Sequence, residues 1–146
     1  MRISTRARYG LRLMIEIAVN FKKGPIFLKE IAKNIDVSEK YLSQIIIPLK
    51  GKGLVSTYSG AHSGYVLSRP PSRIKLKEIV EILEGDLSLI DCVNNPSVCG
   101  KVPTCVTRDI WTKLGDKISE VLNSFTLDDL VKMREEKTED LVMYSI

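Results

Sequence analysis

Three cysteines are the side chains best suited to chemistry in this sequence, and they lie close together as Cys92, Cys99 and Cys105. Thiolates at this spacing can converge on one site when the chain between them folds back. A set of sulfur ligands favours an iron–sulfur cluster or zinc over magnesium or calcium. The CxxC pairs that are usual in structural zinc sites are absent. Unligated thiols and a thiol–disulfide sensor are the alternatives that the spacing leaves open.

The segment that carries the cysteines, residues 85–105, is predicted to be irregular. It contains two glycines and two prolines and shows no hydrophobic periodicity. Apolar spacing predicts an amphipathic helix before it at 76–84 and a long helix after it at 106–124. An irregular stretch of about twenty residues in a compact protein usually serves a function or is disordered. The sequence therefore predicts that two helices flank the cysteine segment.

The first half of the chain has the element order of a winged helix-turn-helix. Apolar spacing predicts helices at 10–21 and 28–34, and Ser38 is a suitable N-cap for a third helix. Two strands at 54–58 and 65–67 follow as a hairpin with a polar tip. The inward face of the first helix is predicted to consist of Leu11, Met14, Ile15, Ala18 and Phe21.

The third helix of such a fold enters the major groove of DNA, where its first residues meet base edges. Gln44 can pair with adenine, and Ser43 can bond to several bases. Lys40, and Tyr41 through its hydroxyl, can hold phosphates. The hairpin tip would lie over the adjacent minor groove. The predicted DNA-binding residues are Arg2, Ser38, Lys40, Tyr41, Ser43, Gln44, Tyr58, Ser59 and His62.

The charge of the chain is divided unequally between its halves. Residues 1–75 contain 14 Lys and Arg against 4 Asp and Glu, a net charge of +10. Residues 76–146 contain 8 against 14, a net charge of −6, so that the whole chain carries +4. A local excess of this size attracts a polyanion. The first half is therefore the predicted nucleic-acid surface.

The length and composition exclude several classes of protein. The 146 residues suffice for one domain, or a small domain with an appendage. No run of about 18 apolar residues is present, so we predict no membrane-spanning helix. Arg12 and Glu16 interrupt the apolar stretch near the N-terminus, so we expect no signal peptide and a cytoplasmic location. The motifs of hydrolases, nucleotide-binding enzymes and CxxC oxidoreductases are absent, so we expect no enzyme.

Several segments resemble the IscR-type family of winged-helix transcriptional regulators, which also includes NsrR-like and CymR-like members. The matching segments are MRISTRARYGLRLMIEIA, LKEIA, SEKYLSQIIIPLKGKGLV, GYVLSRP, LEGDLSLIDC and FTLDDLV, and they cover nearly the whole chain. The resemblance implies activity at operator DNA and a homodimer in which the long helices of two subunits cross. The residues that would form the apolar seam between those helices are Trp111, Leu114, Ile118, Val121 and Leu122.

The resemblance also bears on the cysteines. Cluster-binding members have three cysteines at this place, whereas CymR-like members lack them. The resemblance thus implies that the ligands of an iron–sulfur cluster are Cys92, Cys99 and Cys105. We favour a 2Fe–2S over a 4Fe–4S cluster. The fourth ligand is not identified, since Thr107 stands where some members have His. The candidates are Asp91, Asp109, and a small molecule or exogenous thiol.

These interpretations define a fold class that is mainly α with a small β-hairpin wing. We predict a winged-helix DNA-binding domain at 1–75 and a linking helix with the cysteine loop at 76–105. A dimerisation helix and a short terminal helix, capped by Thr126, would occupy 106–133. A loose charged tail would follow at 134–146.

The predicted function is that of a dimeric repressor whose operator binding is controlled by the cluster, in response to iron–sulfur, redox or nitric oxide status. The alternative is a cluster-free regulator controlled by thiol oxidation or by a protein partner. A small redox enzyme is a remote alternative.

Overall fold

The structure is a computed structural model of the chain and describes residues 1–60 and 64–145. Within these residues, three α-helices precede a two-stranded antiparallel sheet and four α-helices follow it. The elements are α1 (Thr5–Val19), α2 (Leu28–Ile35), α3 (Glu39–Gly51), β1 (Val55–Tyr58), β2 (Gly64–Leu67), α4 (Leu76–Glu84), α5 (Asp91–Asn94), α6 (Val106–Ser124) and α7 (Leu127–Tyr144). Short 3₁₀ turns lie at Pro71–Arg73, Pro96–Val98 and Val102–Thr104. None of the described helices is long and apolar enough to cross a membrane.

The core lies where α1 packs against α3 and α4, and α2, the hairpin and α7 also contact these helices. Gly10 permits a close approach of α1 to α4, because a Cβ atom at this position would lie 2.2 Å from Leu83 Cδ1. The largest fully buried side chains are Leu13, Met14, Ile17, Ile26, Ile31, Leu42, Ile45, Leu49, Leu54, Ile74, Ile79 and Leu127. This core unites the first half of the chain with α4 and the start of α7.

The first helix differs from the prediction in its start and in its inward face. It begins at Thr5, where the Ser4 hydroxyl caps it by accepting from the Ala7 amide at 3.0 Å. The prediction that Phe21 faces inward was wrong, because the helix ends at Val19 and Phe21 is 36% exposed. Its buried residues are Ala7, Gly10, Leu13, Met14, Glu16, Ile17 and Ala18.

The helix-turn-helix agrees with the prediction. A three-residue connection joins α2 to α3, and Asp36 in it takes a left-handed conformation with φ of 55°. Ser38 is the N-cap of α3, since its hydroxyl accepts from the Tyr41 amide at 3.1 Å. A side-chain cap of this kind satisfies one of the free amides of the first helical turn.

The hairpin is the predicted wing, and it is fixed to the helix-turn-helix by a backbone bridge. Its strands pair antiparallel from Val55 opposite Leu67 to Tyr58 opposite Gly64. Ile26 and Tyr65 exchange backbone hydrogen bonds of 3.1 and 2.9 Å. Gly64 permits this approach, because it has φ of 157° and its Cβ would lie 2.8 Å from Ile26 O.

The C-terminal half differs most from the prediction. Helix α6 has the predicted bounds, but α7 is not a short helix followed by a loose tail, since it continues to Tyr144. The capping box of Thr126 and Asp129 starts α7, and a Lys132–Asp128 ion pair of 3.0 Å spans one of its turns. These local interactions stabilise a helix without requiring an apolar face. The start of α7 packs on α1 and is part of the same core.

Candidate DNA interface and cysteine loop

The exposed face of α3 carries side chains able to read DNA. Its buried residues are Leu42, Ile45, Ile46 and Leu49. The opposite face, here called the outer stripe, consists of Lys40, Ser43, Gln44 and Ile47, at helical spacing. Lys40 and Gln44 are exposed and Ser43 is half-buried. Ile47 is 67% exposed and was not among the predicted DNA-binding residues. The signal that could have identified it is the run of three isoleucines, which cannot all face inward in a helix.

Three predicted contact residues of α3 also have roles within the fold. The Ser38 hydroxyl accepts from the Tyr41 amide, and the Ser43 hydroxyl donates to the Lys40 carbonyl at 2.6 Å. The ring of Tyr41 is half-buried and packs edge-on against Tyr9, with centroids 6.0 Å apart. The structure therefore presents Lys40 and Gln44 most openly among the predicted residues of this helix.

The wing and the N-terminal segment present further predicted residues. Tyr58 is 53% exposed at the end of β1, and Ser59 follows it in an exposed position. Arg2 is exposed ahead of α1. The predicted contact His62 lies outside the described residues. The DNA contacts of these residues stay predictions.

The cysteine loop holds three free thiols. Cys99 is exposed, whereas Cys92 and Cys105 are half-buried. No three His, Cys, Asp or Glu side chains in residues 1–60 and 64–145 are arranged to hold one metal ion. Asp91 and Asp109 lie exposed in the first turns of α5 and α6. The sulfur donors suit an iron–sulfur cluster in type and in chain position, but the structure does not bring them together.

Cys105 is positioned by the start of α6. It is the N-cap residue of that helix, and its Sγ lies 3.3 Å from the hydroxyl oxygen of Thr107. The hydrogen bond with Thr107, followed by one from the Arg108 amide, lowers the pKa of the Cys105 thiol. Hydrogen bonds to a thiolate favour the charged form, which is the form that binds metal and reacts with oxidants.

Arg108 links the other end of the loop to the same helix. Its guanidinium donates to the carbonyls of Cys92 at 3.1 Å and Val93 at 3.2 Å. One side chain in the first turn of α6 thus holds the backbone of α5 in place. Arg108 is not recognisable from the sequence, because its partners are 15 and 16 residues distant and no local pattern marks them.

The apolar side chains of α6 are largely uncovered. None of its residues is buried within the chain. Of the predicted seam, Trp111, Leu114 and Val121 are 41%, 37% and 57% exposed, while Ile118 and Leu122 are half-buried. Ile110, at 58% exposed, extends the same face. An exposed apolar patch of this extent commonly marks an interaction surface.

A family profile described as Rrf2, an iron-dependent transcriptional regulator, matches residues 3–133. The chain belongs to the Rrf2 family. Members of the Rrf2 family are DNA-binding transcriptional regulators, so this chain is a regulator and not an enzyme. The fold class and the resemblance predicted from the sequence are confirmed.

Among Rrf2 relatives, the transcriptional regulator CymR of Bacillus subtilis is 38% identical over 144 residues, which cover 99% of each chain. Its solved structure matches with a TM-score of 0.77, covering 91% of this chain and 98% of that one. T. potens IscR matches at 38% identity and a TM-score of 0.78, covering 94% and 90%. The oxidised form of Staphylococcus aureus CymR matches at 34% identity and a TM-score of 0.71, covering 90% and 96%.

Proposed function

We propose that this Rrf2-family chain is a homodimeric repressor whose operator affinity depends on an iron–sulfur cluster held by Cys92, Cys99 and Cys105. One observation carries the proposal. Three free thiols lie between α4 and α6, with Cys92 in the short helix α5, Cys99 after a 3₁₀ turn and Cys105 at the N-terminus of the uncovered helix α6. Sulfur ligands suit an iron–sulfur cluster, and the family is described as iron-dependent. A 2Fe–2S cluster is our preferred type.

DNA binding in this proposal uses the outer stripe of α3 and the wing. Gln44 reads a base edge, and Lys40 and Arg2 contact phosphates. Tyr58, Ser59 and His62 approach the minor groove, while Ser38, Tyr41 and Ser43 hold α3 and add contacts. The net charge of +10 on residues 1–75 draws this surface to the duplex.

The dimer in this proposal forms through α6. The residues proposed to meet the partner's helix are Trp111, Leu114, Ile118, Val121 and Leu122. We add Ile110 to this proposed seam because it is exposed on the same face of α6. A two-fold axis through this seam presents two recognition helices to successive major grooves of a palindromic operator.

Regulation acts on the first turn of α6. When bound, an iron–sulfur cluster supplies a group that oxidants, nitric oxide or iron shortage alter or remove. Cys105 occupies the N-cap position of α6, and Arg108 ties α5 to the same turn, so a change at the thiols acts on one end of this helix. Helix α6 also packs on α4, which contributes to the same core as α1 and α3. A tenfold change in operator affinity requires only about 1.4 kcal/mol of differential stability.

The test is to purify the chain anaerobically, record its visible spectrum and determine iron and sulfide. We expect a coloured protein with iron and sulfide in equal amounts, and loss of colour in Cys92→Ala. Ser97→Ala, an exposed change in the same loop, is the matched control and should keep the colour. A protein that stays colourless and iron-free even after reconstitution would contradict the cluster.

A second function is favoured by the thiols themselves. The lowered pKa of Cys105 and the exposure of Cys99 suit a regulator controlled by thiol oxidation, without a cluster. A relative, S. aureus CymR, has been crystallised in an oxidised form. Operator affinity that is unchanged by iron but altered by peroxide, or by a protein partner, would favour this alternative.

A further inference from the structure

Glu16 on α1 is the buried charged side chain of the described residues, with 4% of its surface exposed. Its two carboxylate oxygens contact different parts of the chain. Oε1 forms an ion pair with Arg134 of α7, and Oε2 accepts from Asn34 Nδ2 at 3.0 Å. Burying a carboxylate is costly unless it is paired and hydrogen-bonded. Glu16, Arg134 and Asn34, here called the triad, therefore depend on one another.

The triad connects α7 with the helix-turn-helix. Asn34 is the penultimate residue of α2 and lies two residues before Asp36, whose left-handed conformation turns the chain towards α3. The side chain that holds Asn34 is in turn held by Arg134, which is 118 residues from Glu16 in the sequence. One carboxylate thus joins the C-terminal helix to the turn that precedes the recognition helix.

The start of α7 is fixed to the body of the fold and directly follows α6. The amide of Leu127 donates to the Ile74 carbonyl at 2.8 Å, and the amide of Leu76 donates to the Phe125 carbonyl at 3.0 Å. Leu127 and Val131 are buried in the core. Because residues 125 and 126 alone separate the two helices, a displacement of α6 acts directly on the anchored end of α7.

We propose that the triad is a positioning device for operator recognition, which sets the orientation of α2 and α3 relative to the C-terminal helices. Glu16 and Arg134 act through Asn34 and make no contact with DNA in this account. The inference uses the DNA-binding activity of the family and is independent of a cluster at the cysteines. Loss of the triad lowers affinity for a specific duplex, where α3 must be correctly placed. Non-specific binding depends mainly on charge and changes little.

The test uses the full chain and two DNA probes of equal length. One is a duplex enriched by the wild-type chain from a random-sequence pool, and the other is a random-sequence duplex. Arg134→Met should weaken binding to the enriched duplex about tenfold, within the usual range of coupling between sites, and leave binding to the random duplex nearly unchanged. Lys137→Met removes the same charge from an exposed position on α7, so it serves as the control and should bind both probes as the wild type does.

Two further variants separate positioning from stability. Adding Glu16→Met to Arg134→Met removes both the uncompensated buried charge and the acceptor for Asn34 Nδ2, so the thermal midpoint should recover while binding to the enriched duplex stays weak. Asn34→Ala changes an exposed residue and tests the last link with little effect on folding. The proposal is overturned if Asn34→Ala binds both probes normally. It is also overturned if Arg134→Met weakens both probes in parallel, or if the double variant regains specific affinity together with its midpoint.

Discussion

At the residue scale, the sequence identified side-chain types well but not their surroundings. Ser38 was recognisable as an N-cap because a hydroxyl before an apolar-periodic segment is a local signal. Glu16 was interpreted as a polar interruption, since nothing near it shows that Arg134 will approach from α7. The cysteines were identified as one set by their spacing, yet the described structure leaves the three thiols apart. Local chemistry is readable from sequence, whereas long-range pairing is not.

The outer stripe of α3 yields a prediction about base reading. Gln44→Ala should weaken binding to a duplex enriched by the wild-type chain by about 1–3 kcal/mol, because a bidentate contact to a base edge is lost. Binding to random-sequence duplex should barely change. Fluorescence anisotropy with both duplexes measures this difference.

Lys40→Ala is the matched comparison for Gln44→Ala, since both side chains are exposed on the same stripe. A phosphate contact should weaken both duplexes to a similar degree and reduce the salt dependence by about one ion per subunit. If Lys40→Ala and Gln44→Ala lower the affinities for the enriched and random duplexes in the same way, Gln44 does not read a base.

At the scale of elements, prediction succeeded where a periodic apolar face exists. Helices α4 and α6 have the predicted bounds, because their apolar residues recur at helical spacing. Helix α7 was underestimated, because beyond Val131 its described residues are exposed and no buried face marks its continuation. Amphipathic periodicity alone therefore cannot predict the full length of α7.

The uncovered face of α6 gives a prediction about assembly. Leu114→Glu should convert the proposed dimer to a monomer, because a carboxylate would be buried in the seam between two helices. Sedimentation velocity measures the change. Lys113→Glu adds negative charge at the neighbouring exposed position and should leave the dimer intact. A wild-type monomer, or a Leu114→Glu dimer, would refute the proposed interface.

The capping box of α7 gives a prediction about pH. Hydrogen bonds from the amide and the hydroxyl of Thr126 lower the pKa of Asp129. Because the pKa is lower in the folded than in the unfolded chain, this stabilisation is present above the unfolded value and is lost as pH falls through the folded one. Asp129→Asn should lower the thermal midpoint at neutral pH, and the difference should vanish in acid.

Thermal unfolding at stepped pH checks the prediction for Asp129. The control is Asp140→Asn, which changes an exposed residue near the other end of α7. A midpoint difference between Asp129→Asn and the wild type that is the same at every pH would exclude the charged cap as its cause.

At the scale of the whole molecule, charge is divided unequally between the two halves of the chain. The basic half, residues 1–75, contains the helix-turn-helix and the hairpin, and the acidic half contains the cysteine loop and the uncovered helix α6. This arrangement could be predicted from the sequence, because net charge and hydrophobic periodicity are properties of consecutive residues. It did not predict that α7 returns to α1, since that packing depends on the tertiary fold.

The basic half implies steep salt dependence. Raising salt from 50 to 200 mM should lower affinity for the enriched duplex on the order of 10³-fold or more, because phosphate contacts release bound counterions. Anisotropy titrations at stepped KCl concentrations measure the slope. A change of less than about threefold would mean that phosphate contacts contribute little.

In our proposal the state of the cysteine loop sets operator affinity, and a comparison of cluster-loaded with metal-free protein tests this dependence. A single anaerobic preparation, with iron and sulfide determined, is divided into cluster-loaded and metal-free portions, and each is titrated against the same enriched duplex. We expect the affinities of the cluster-loaded and metal-free wild-type portions to differ by about tenfold or more. Two portions of Cys92→Ala treated in the same way should bind the duplex with equal affinity. Equal affinities of loaded and metal-free wild-type protein would contradict the proposal.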